Sequence, residues 1–509
     1  MTDETLSMAE PGEGIARRTV DVASEELARH AEQLFAERFR LALVAAHDDG
    51  DQLRVVYLFT AGNPDRRVEL HLRAPADRPV IPSLAGVSFP ASRFEREMQD
   101  LFGIEPAGHP QPARLVLHQH WPEGWRPMRR GAGTAPVMDQ ETRQFPFASV
   151  QGSGVYEIPV GPVHAGLIEP GHFRFWVVGE TIVAMKARLW FVHKGIERLF
   201  EGRDPVDGLG LAERISGDTA VGHGWAYCQA IEQAAGCTVP RGVTVLRAIL
   251  LELERLYNHV GDIGALCNDV GFGVVNAHAL RIRERLLRLN ASVTGHRLLR
   301  GGIFPGGAAV SRLPDPVDLD DIAADVSEIV ALALGQNTLY DRFFGTSVLT
   351  NEQAVEIGTL GYVARASGVG LDARIAHPTD PGLYRDLRVP VLTGGDVMAR
   401  FQLRVEEFGA SIALLLGLIA EAAEGEPSQR VDLDLSGSAP RSGVGIIEGW
   451  RGTIVHRVEL HDGLVVRVKV VDPSFMNWPA VAVSLKDTIV PDFPLTNKSF
   501  NLSYAGNDL

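Results

Sequence analysis

Three separated stretches set acid–base side chains into apolar sequence. The first, GPVHAGLIEPGHFRF (161–175), places His164, His172 and Glu169 among glycines and prolines. The second, AERISGDTAVGHGWAY (212–227), carries Arg214 and His223, and its Gly217, Gly222 and Gly224 leave room for another backbone or a ligand. The third joins Arg451-Gly452 to VDPSFMNWPA (471–480), which holds Asp472. A pocket lined by Glu169, His164, Arg214, His223, Arg451 and Asp472 mixes carboxylates and imidazoles with fixed cations, and such a mixture can move protons. The same residues also suit a plainer reading, in which they form unrelated ion pairs and helix caps. Ser216 or Asp218 would then cap a helix that starts near residue 219.

Composition narrows the class. The chain has 509 residues, 45% hydrophobic and 22% charged, which suits two or more globular domains. A net charge of −15 argues against nucleic acid or an anionic membrane surface as a direct partner. No apolar run reaches the ~18 residues of a membrane span. The acidic start MTDETLSMAEPGEG is neither a signal nor a transit peptide, so a cytoplasmic location is expected. Cys228, Cys237 and Cys267 form no CxxC pair and read as buried, reduced thiols.

The elements that must position these residues follow from periodicity. Residues 1–20 read as a disordered lead-in, and 21–125 as a small α+β domain. Within it a helix covers 24–39 with Ser24 as its cap, three strands follow at 41–46, 53–59 and 67–72, and a second helix occupies much of 92–110. Residues 126–150, in a stretch rich in Gly, Pro and Arg, read as a linker or an arm on a partner. A strand hairpin opens the second domain, 151–509. Helices are expected at 184–201, 219–235, 241–268, 276–299, 316–338 and 396–422, with a loop at GGIFPGG (301–307). The tail returns to strands at 444–448, 452–460 and 465–470, then to a helix after Asp472-Pro473. The fold class is α+β: a small α+β domain followed by a mainly helical domain with a β cap.

These stretches carry a family resemblance. EREMQDLFGIEPAGHP (95–110) resembles the 30 kDa (C) subunit signature of respiratory complex I, EREVxDMFGIxFxGHP. From GPVHAGLIEPGHFRF through HKGIE (193–197) to NLSYAGNDL (501–509), the chain resembles the 49 kDa (D) subunit of complex I. It equally resembles the large subunit of [NiFe] hydrogenases of the formate hydrogenlyase type, in which C- and D-like parts are fused. The resemblance implies a [NiFe]-hydrogenase large-subunit-like fold for the second domain.

The departures from the family pattern bear on chemistry. The hydrogenase motif RxCGxCxxxH reads here RISGDTAVGH, with Ser216 and Thr219 at the thiolate positions. The motif DPCxxC is matched to DPSFMN, with Ser474 and Asn477 there. Hydroxyls and an amide lack the charge and softness that nickel requires, so a [NiFe] centre is not expected on this chain. The quinone-binding tyrosine of complex I, three residues after the arginine, falls on Gly217. Of the two histidines in GPxHPxxHG, His164 matches the first and Ile168 replaces the second. Glu169 resembles the proton-passing carboxylate of the hydrogenases, Arg451 the arginine beside the iron, and Asp472 the aspartate that orients it. The resemblance therefore implies an oxidoreductase-complex subunit whose cavity lies beside a [4Fe–4S] cluster of a complex I B-type iron–sulfur partner. Antiporter-like membrane subunits would anchor it to the inner face of the cell membrane, electron transfer would couple to proton movement, and His164 and Gly217 would edge a quinone cavity. The alternatives are a non-catalytic bridging subunit and a true [NiFe] hydrogenase.

Overall fold

The structure is a computed structural model that describes residues 16–138, 145–147, 149–165 and 168–509. The N-terminal sheet consists of β1 (Ala16–Asp21), β2 (Arg40–Asp48), β3 (Gln52–Ala61) and β4 (Arg66–Pro75), in the order β1-β4-β3-β2. Residues 16–20, expected within a disordered lead-in, pair in parallel with the free edge of β4, whose unbonded backbone groups need a partner. Residues 1–15 lie outside the described residues. Helix α1 (Leu27–Ala36) is preceded by a single 3₁₀ turn, Ser24–Glu26, and no side chain caps either, so Ser24 is not the cap its sequence position suggested.

Helix α2 (Phe89–Phe102) stops at Gly103, which takes φ 76° as a left-handed terminator. Its buried acids account for the EREMQD signature. Glu95 accepts from the Leu84 amide at 2.6 Å, and Asp100 Oδ2 accepts from the amides of Leu115, Val116 and Leu117 at 2.8, 2.8 and 3.1 Å. Asp100→Ala leaves three buried amides unpaired and is expected to cost about 2 kcal/mol, read as a lower urea midpoint of unfolding. The described part of 126–138 runs back over this domain, where Arg129 Nε donates to Asp48 at 2.9 Å and the Met128 amide to the Leu101 carbonyl at 3.1 Å.

The second domain opens with an antiparallel sheet of β5 (Val155–Val160), β6 (His172–Val178) and β7 (Thr181–Arg188). The helix expected at 184–201 is not formed. Thr181–Arg188 begins with three β-branched residues and pairs with β6, the chain turns at Trp190 (φ 64°), and only Ile196–Phe200 is helical. The other long helices stand close to their expected ranges: α3 (Ala220–Ala235), α4 (Arg241–Asp269), α5 (Gly273–Thr294), α6 (Pro316–Leu334) and α7 (Val397–Ala422). GGIFPGG is more than a loop, because Ile303–Phe304 pairs with Gly307–Ala309, which pairs in turn with Ser428–Arg430.

The C-terminal meander consists of β8 (Arg441–Gly449), β9 (Gly452–His461) and β10 (Leu464–Val471). Helix α3 lies so close to β8 that a Cβ at Gly445 would run into the Ala226 carbonyl. The meander also meets the N-terminal domain through ion pairs: Arg457–Glu69 at 3.1 Å, Arg54–Glu459 at 2.6 Å and Lys469–Glu97 at 2.7 Å. It is therefore covered by α3 and by the N-terminal domain together, and β9 is buried over nine successive residues. Three last helices close the fold: α8 (Pro473–Ser484), α9 (Phe493–Phe500) and α10 (Tyr504–Asp508).

Candidate functional site

A cavity of about 560 Å³ opens where the β5–β6 loop, the turn before α3, and the α9–α10 region meet. Val160, Phe173, Phe493 and Leu502 form its apolar wall. Phe493 packs on Phe173 with ring centroids 4.9 Å apart. Its polar wall includes His164, Glu169, Ser216, Gly217, Asp218, Asp269, Arg451, Lys498 and Ser503.

Asp218 and Arg451 form its central ion pair. Both guanidinium Nη atoms donate to the carboxylate at 2.7 Å, and Arg451 Nε donates to the Asn501 carbonyl at 2.6 Å. Burial raises the Asp218 pKa, but the Arg451 charge and hydrogen bonds outweigh it and bring it down to about 2. Trp450 stacks its ring 4.0 Å from the Arg451 guanidinium carbon and fixes the arginine from behind. Asp218 is thus committed to Arg451 and does not cap α3, and Ser216 does not cap it either. The free amides of α3 at Val221 and Gly222 donate instead to Glu254 of α4, at 2.7 and 3.0 Å. A carboxylate from a neighbouring helix does the work that sequence reasoning gave to a local cap.

The hydroxyl positions are brought together only in part. Ser216 Oγ donates to Asp218 at 3.0 Å, and Thr219 Oγ1 donates to the same carboxylate oxygen at 3.0 Å. Across the cavity Ser216 Oγ meets Ser503 Oγ at 2.8 Å. Ser474 and Asn477 do not line the cavity. Ser474 Oγ accepts from the Ser503 amide at 2.9 Å, one layer behind, and Asn477 is spent on the Leu360 backbone at 2.8 and 3.1 Å. The segment facing Ser216-x-x-Thr219 is Ser503-x-x-Gly506, which has the same spacing and was missed in sequence. A Cβ at Gly506 would lie 2.6 Å from the Asp472 carboxylate, so that carboxylate fills the space of a side chain there.

Asp472 anchors a fully buried relay. Its Oδ2 lies 3.0 Å from His223 Nε2, and His223 Nδ1 lies 3.0 Å from Nε2 of His456, which sequence reasoning did not single out. Burial pushes Asp472 up, but the bond from His223 and the nearby charge of Arg451 hold it below its ordinary value. Burial, with His223 beside it, holds His456 well below its ordinary value, and its Nδ1 has no hydrogen-bond partner among the described residues.

Two predicted residues sit at the rim. His164 Nε2 bonds the Gly171 carbonyl at 2.7 Å, and Glu169 Oε2 accepts from the Ala505 amide at 3.0 Å, which ties the β5–β6 loop to α10. Arg214 lies outside the cavity. It is exposed, and its Nη1 donates to the Gly210 carbonyl, four residues back, at 2.7 Å. His172 starts β6 and bonds the Gly161 carbonyl at 3.1 Å.

The donor set does not fit nickel. The hydroxyls at Ser216, Thr219 and Ser503 are engaged by one another and by Asp218, no cysteine lines the cavity, and Gly506 offers no donor. No group of three His, Cys, Asp or Glu suited to a metal occurs among the described residues.

Comparisons with known proteins agree with this architecture. The models for the 30 Kd and 49 Kd subunits of the respiratory-chain NADH dehydrogenase match residues 20–135 and 269–436, and the nickel-dependent hydrogenase model matches 194–263. Hydrogenase-4 component G of Escherichia coli is 32% identical, over 81% of this chain and 73% of that protein. Formate hydrogenlyase subunit 5 of the same organism is 30% identical, over 87% and 79%. The fused C/D subunit of the NADH-quinone oxidoreductase of Phocaeicola vulgatus is 28% identical, over 80% and 85%. In structure, a chain of the membrane-bound sulfane sulfur reductase, an archaeal respiratory membrane complex, superposes with TM-score 0.64 at 24% identity, over 70% of this chain and 99% of that one. Among the described residues no helix is long and apolar enough to cross a membrane. The chain therefore belongs to the family in which a complex I 30 kDa-type domain is fused to a 49 kDa-type, nickel-hydrogenase-like domain, alongside the C/D subunits of NADH-quinone oxidoreductases and the large subunits of formate hydrogenlyase-type hydrogenases.

Proposed function

We propose that this chain forms the proton-coupled acceptor cavity of a membrane-associated oxidoreductase complex and works without nickel. The observation that carries the reading is the cavity itself. Ser216, Thr219 and Ser503 engage one another and Asp218 through their hydroxyls, while an ion pair and rim acid–base groups stand around about 560 Å³ of space. Electrons come from a [4Fe–4S] cluster of a B-type iron–sulfur subunit docked over the mouth, and a quinone is the acceptor. The exposed apolar side chains Val163 and Ile168 beside the mouth support such a covering. Antiporter-like membrane subunits hold the chain on the inner face of the membrane. Within the cavity Arg451 fixes Asp218 as a permanent anion, and Glu169 and His164 stand where protons enter from solvent.

Glu169→Gln keeps the acceptor for the Ala505 amide and removes the titrating group. In the purified complex it is expected to lower acceptor-dependent turnover about tenfold, below the roughly 10²–10⁴-fold of a full general acid–base residue because Glu169 relays protons at the rim. Turnover at the parental rate with this variant counts against the reading and favours a purely bridging subunit.

A further inference from the structure

A second cavity, of about 620 Å³, lies at the junction of the two domains and shares no lining residue with the first. The N-terminal sheet contributes His47, Arg54 and Arg73, and the C-terminal meander contributes Arg441, Arg457 and Val466. Its volume is within the roughly 300–1,000 Å³ of small-molecule sites. Among the described residues seven arginines line it, against four carboxylates. All four carboxylates are committed: Asp48 to Arg129 at 2.9 Å, Asp49 and Glu459 to Arg54 at 2.7 and 2.6 Å, and Glu201 to Arg198. Arg457 and Arg467 are committed as well, to Glu69 at 3.1 Å and Glu197 at 2.7 Å.

Three guanidinium groups are left without an acid of their own. Arg73 reaches only Asp49, at 3.5 Å, which Arg54 already holds, and Asp21 at 3.9 Å. Arg441 donates to the carbonyls of Asp434 and Ser436 at 3.0 and 2.9 Å, which occupies two of its hydrogens and cancels none of its charge. The Arg130 amide is anchored on Asp48 at 2.8 Å, while its guanidinium reaches over the β2–β3 turn to within 3.9 Å of where a Gly50 Cβ would be. That guanidinium makes no hydrogen bond or ion pair among the described residues. The chain as a whole carries −15, but at about 0.15 M salt charges more than ~8 Å away are largely screened, so the cleft presents a positive field to a small anion. The planar fork of arginine matches phosphate oxygens two at a time. Three forks on separate segments, around a space much larger than one phosphate, suit a chain of phosphates. Met128, Pro440 and Val466 add apolar surface for an organic part.

We infer that this junction cleft binds a small diphosphate compound through Arg73, Arg130 and Arg441. Because both domains line it, the bound anion braces the 30 kDa-type domain against the meander. The test is calorimetric titration of the purified full chain, at about 0.15 M salt, with inorganic pyrophosphate and separately with ADP. One-to-one binding of either compound is the expected result. Tighter binding of ADP assigns a nucleoside diphosphate, and equal binding assigns the diphosphate group alone. Arg73→Gln and Arg130→Gln are each expected to weaken binding about tenfold, the worth of one charge-assisted hydrogen bond. Arg312→Gln makes the same change of net charge away from the cleft and is expected to stay within about twofold of the parent. Equal losses in all three variants, or no binding of either compound by the parent, overturn the inference. Arg73 and Arg130 are exposed, so the unliganded variants should keep the parental thermal midpoint, which shows that a loss is not unfolding.

Discussion

Gly217→Trp is expected to silence the site without unfolding the protein. Gly217 lines the cavity, and nothing lies within 4 Å of where its Cβ would be. It is not among the residues with positive φ, so a side chain there carries no backbone penalty. An indole then occupies the space that the acceptor needs. Acceptor-dependent turnover of the purified complex should fall at least about 100-fold, equivalent to ~2.7 kcal/mol of lost binding. The thermal midpoint should stay at the parental value, and Gly217→Ala should keep most of the activity. Undiminished turnover in the tryptophan variant would place the acceptor elsewhere.

Arg451→Ala is expected to be the most destabilising single change at the cavity. The guanidinium is 4% exposed and holds Asp218, the Asn501 carbonyl and the face of Trp450 at once. Breaking a buried pair by removing one partner costs roughly 3–5 kcal/mol, and about 3 kcal/mol is expected here because Asp218 keeps one side on the cavity and is partly solvated. The pH dependence gives a second readout. Asp218 is depressed from 3.8 to about 2 in the folded chain, so its contribution is complete above about pH 4 and is lost as pH falls towards 2. In Arg451→Ala that stretch of the acid-unfolding profile should flatten. A parental acid profile in the variant would show that another group sets it.

Much of the fold could be read in advance, for a physical reason. The helices 219–235, 241–268 and 396–422 repeat apolar residues at helical spacing over many turns, so packing and pattern agree. Thr181–Arg188 misled because TIVAMKAR ends in good helix formers, and only pairing with β6 decides its state. β1 was missed because a six-residue edge strand has no signal apart from the sheet it joins.

Polar residues inside apolar sequence were legible as buried groups, but of His223, Asp472 and Arg451 only Arg451 lines the cavity, and the other two lie behind it. The site was illegible where the partner comes from a distant segment. Arg214 reads as a buried cation, yet its side chain folds back along its own turn to Gly210. Ser474 and Asn477 sit behind a familiar Asp-Pro, yet their hydrogen bonds go to backbone one layer down. Lys498 and Asn497 look like an ordinary solvated face, yet both line the cavity. Their spacing from Phe493 and Pro494 was the available clue, as the S-x-x-G spacing was for Ser503 and Gly506.

The Asp472 carboxylate beside Gly506 stands in the way of a thiol at that position. A cysteine at 506 meets that carboxylate at once, so Asp472 must move before the thiol fits. Removing Asp472 first leaves the Nε2 of His223 unpaired deep in the interior, with His456 on its other nitrogen alone. A side chain at 506 and the carboxylate of Asp472 therefore compete for one space, and filling either role disturbs the other.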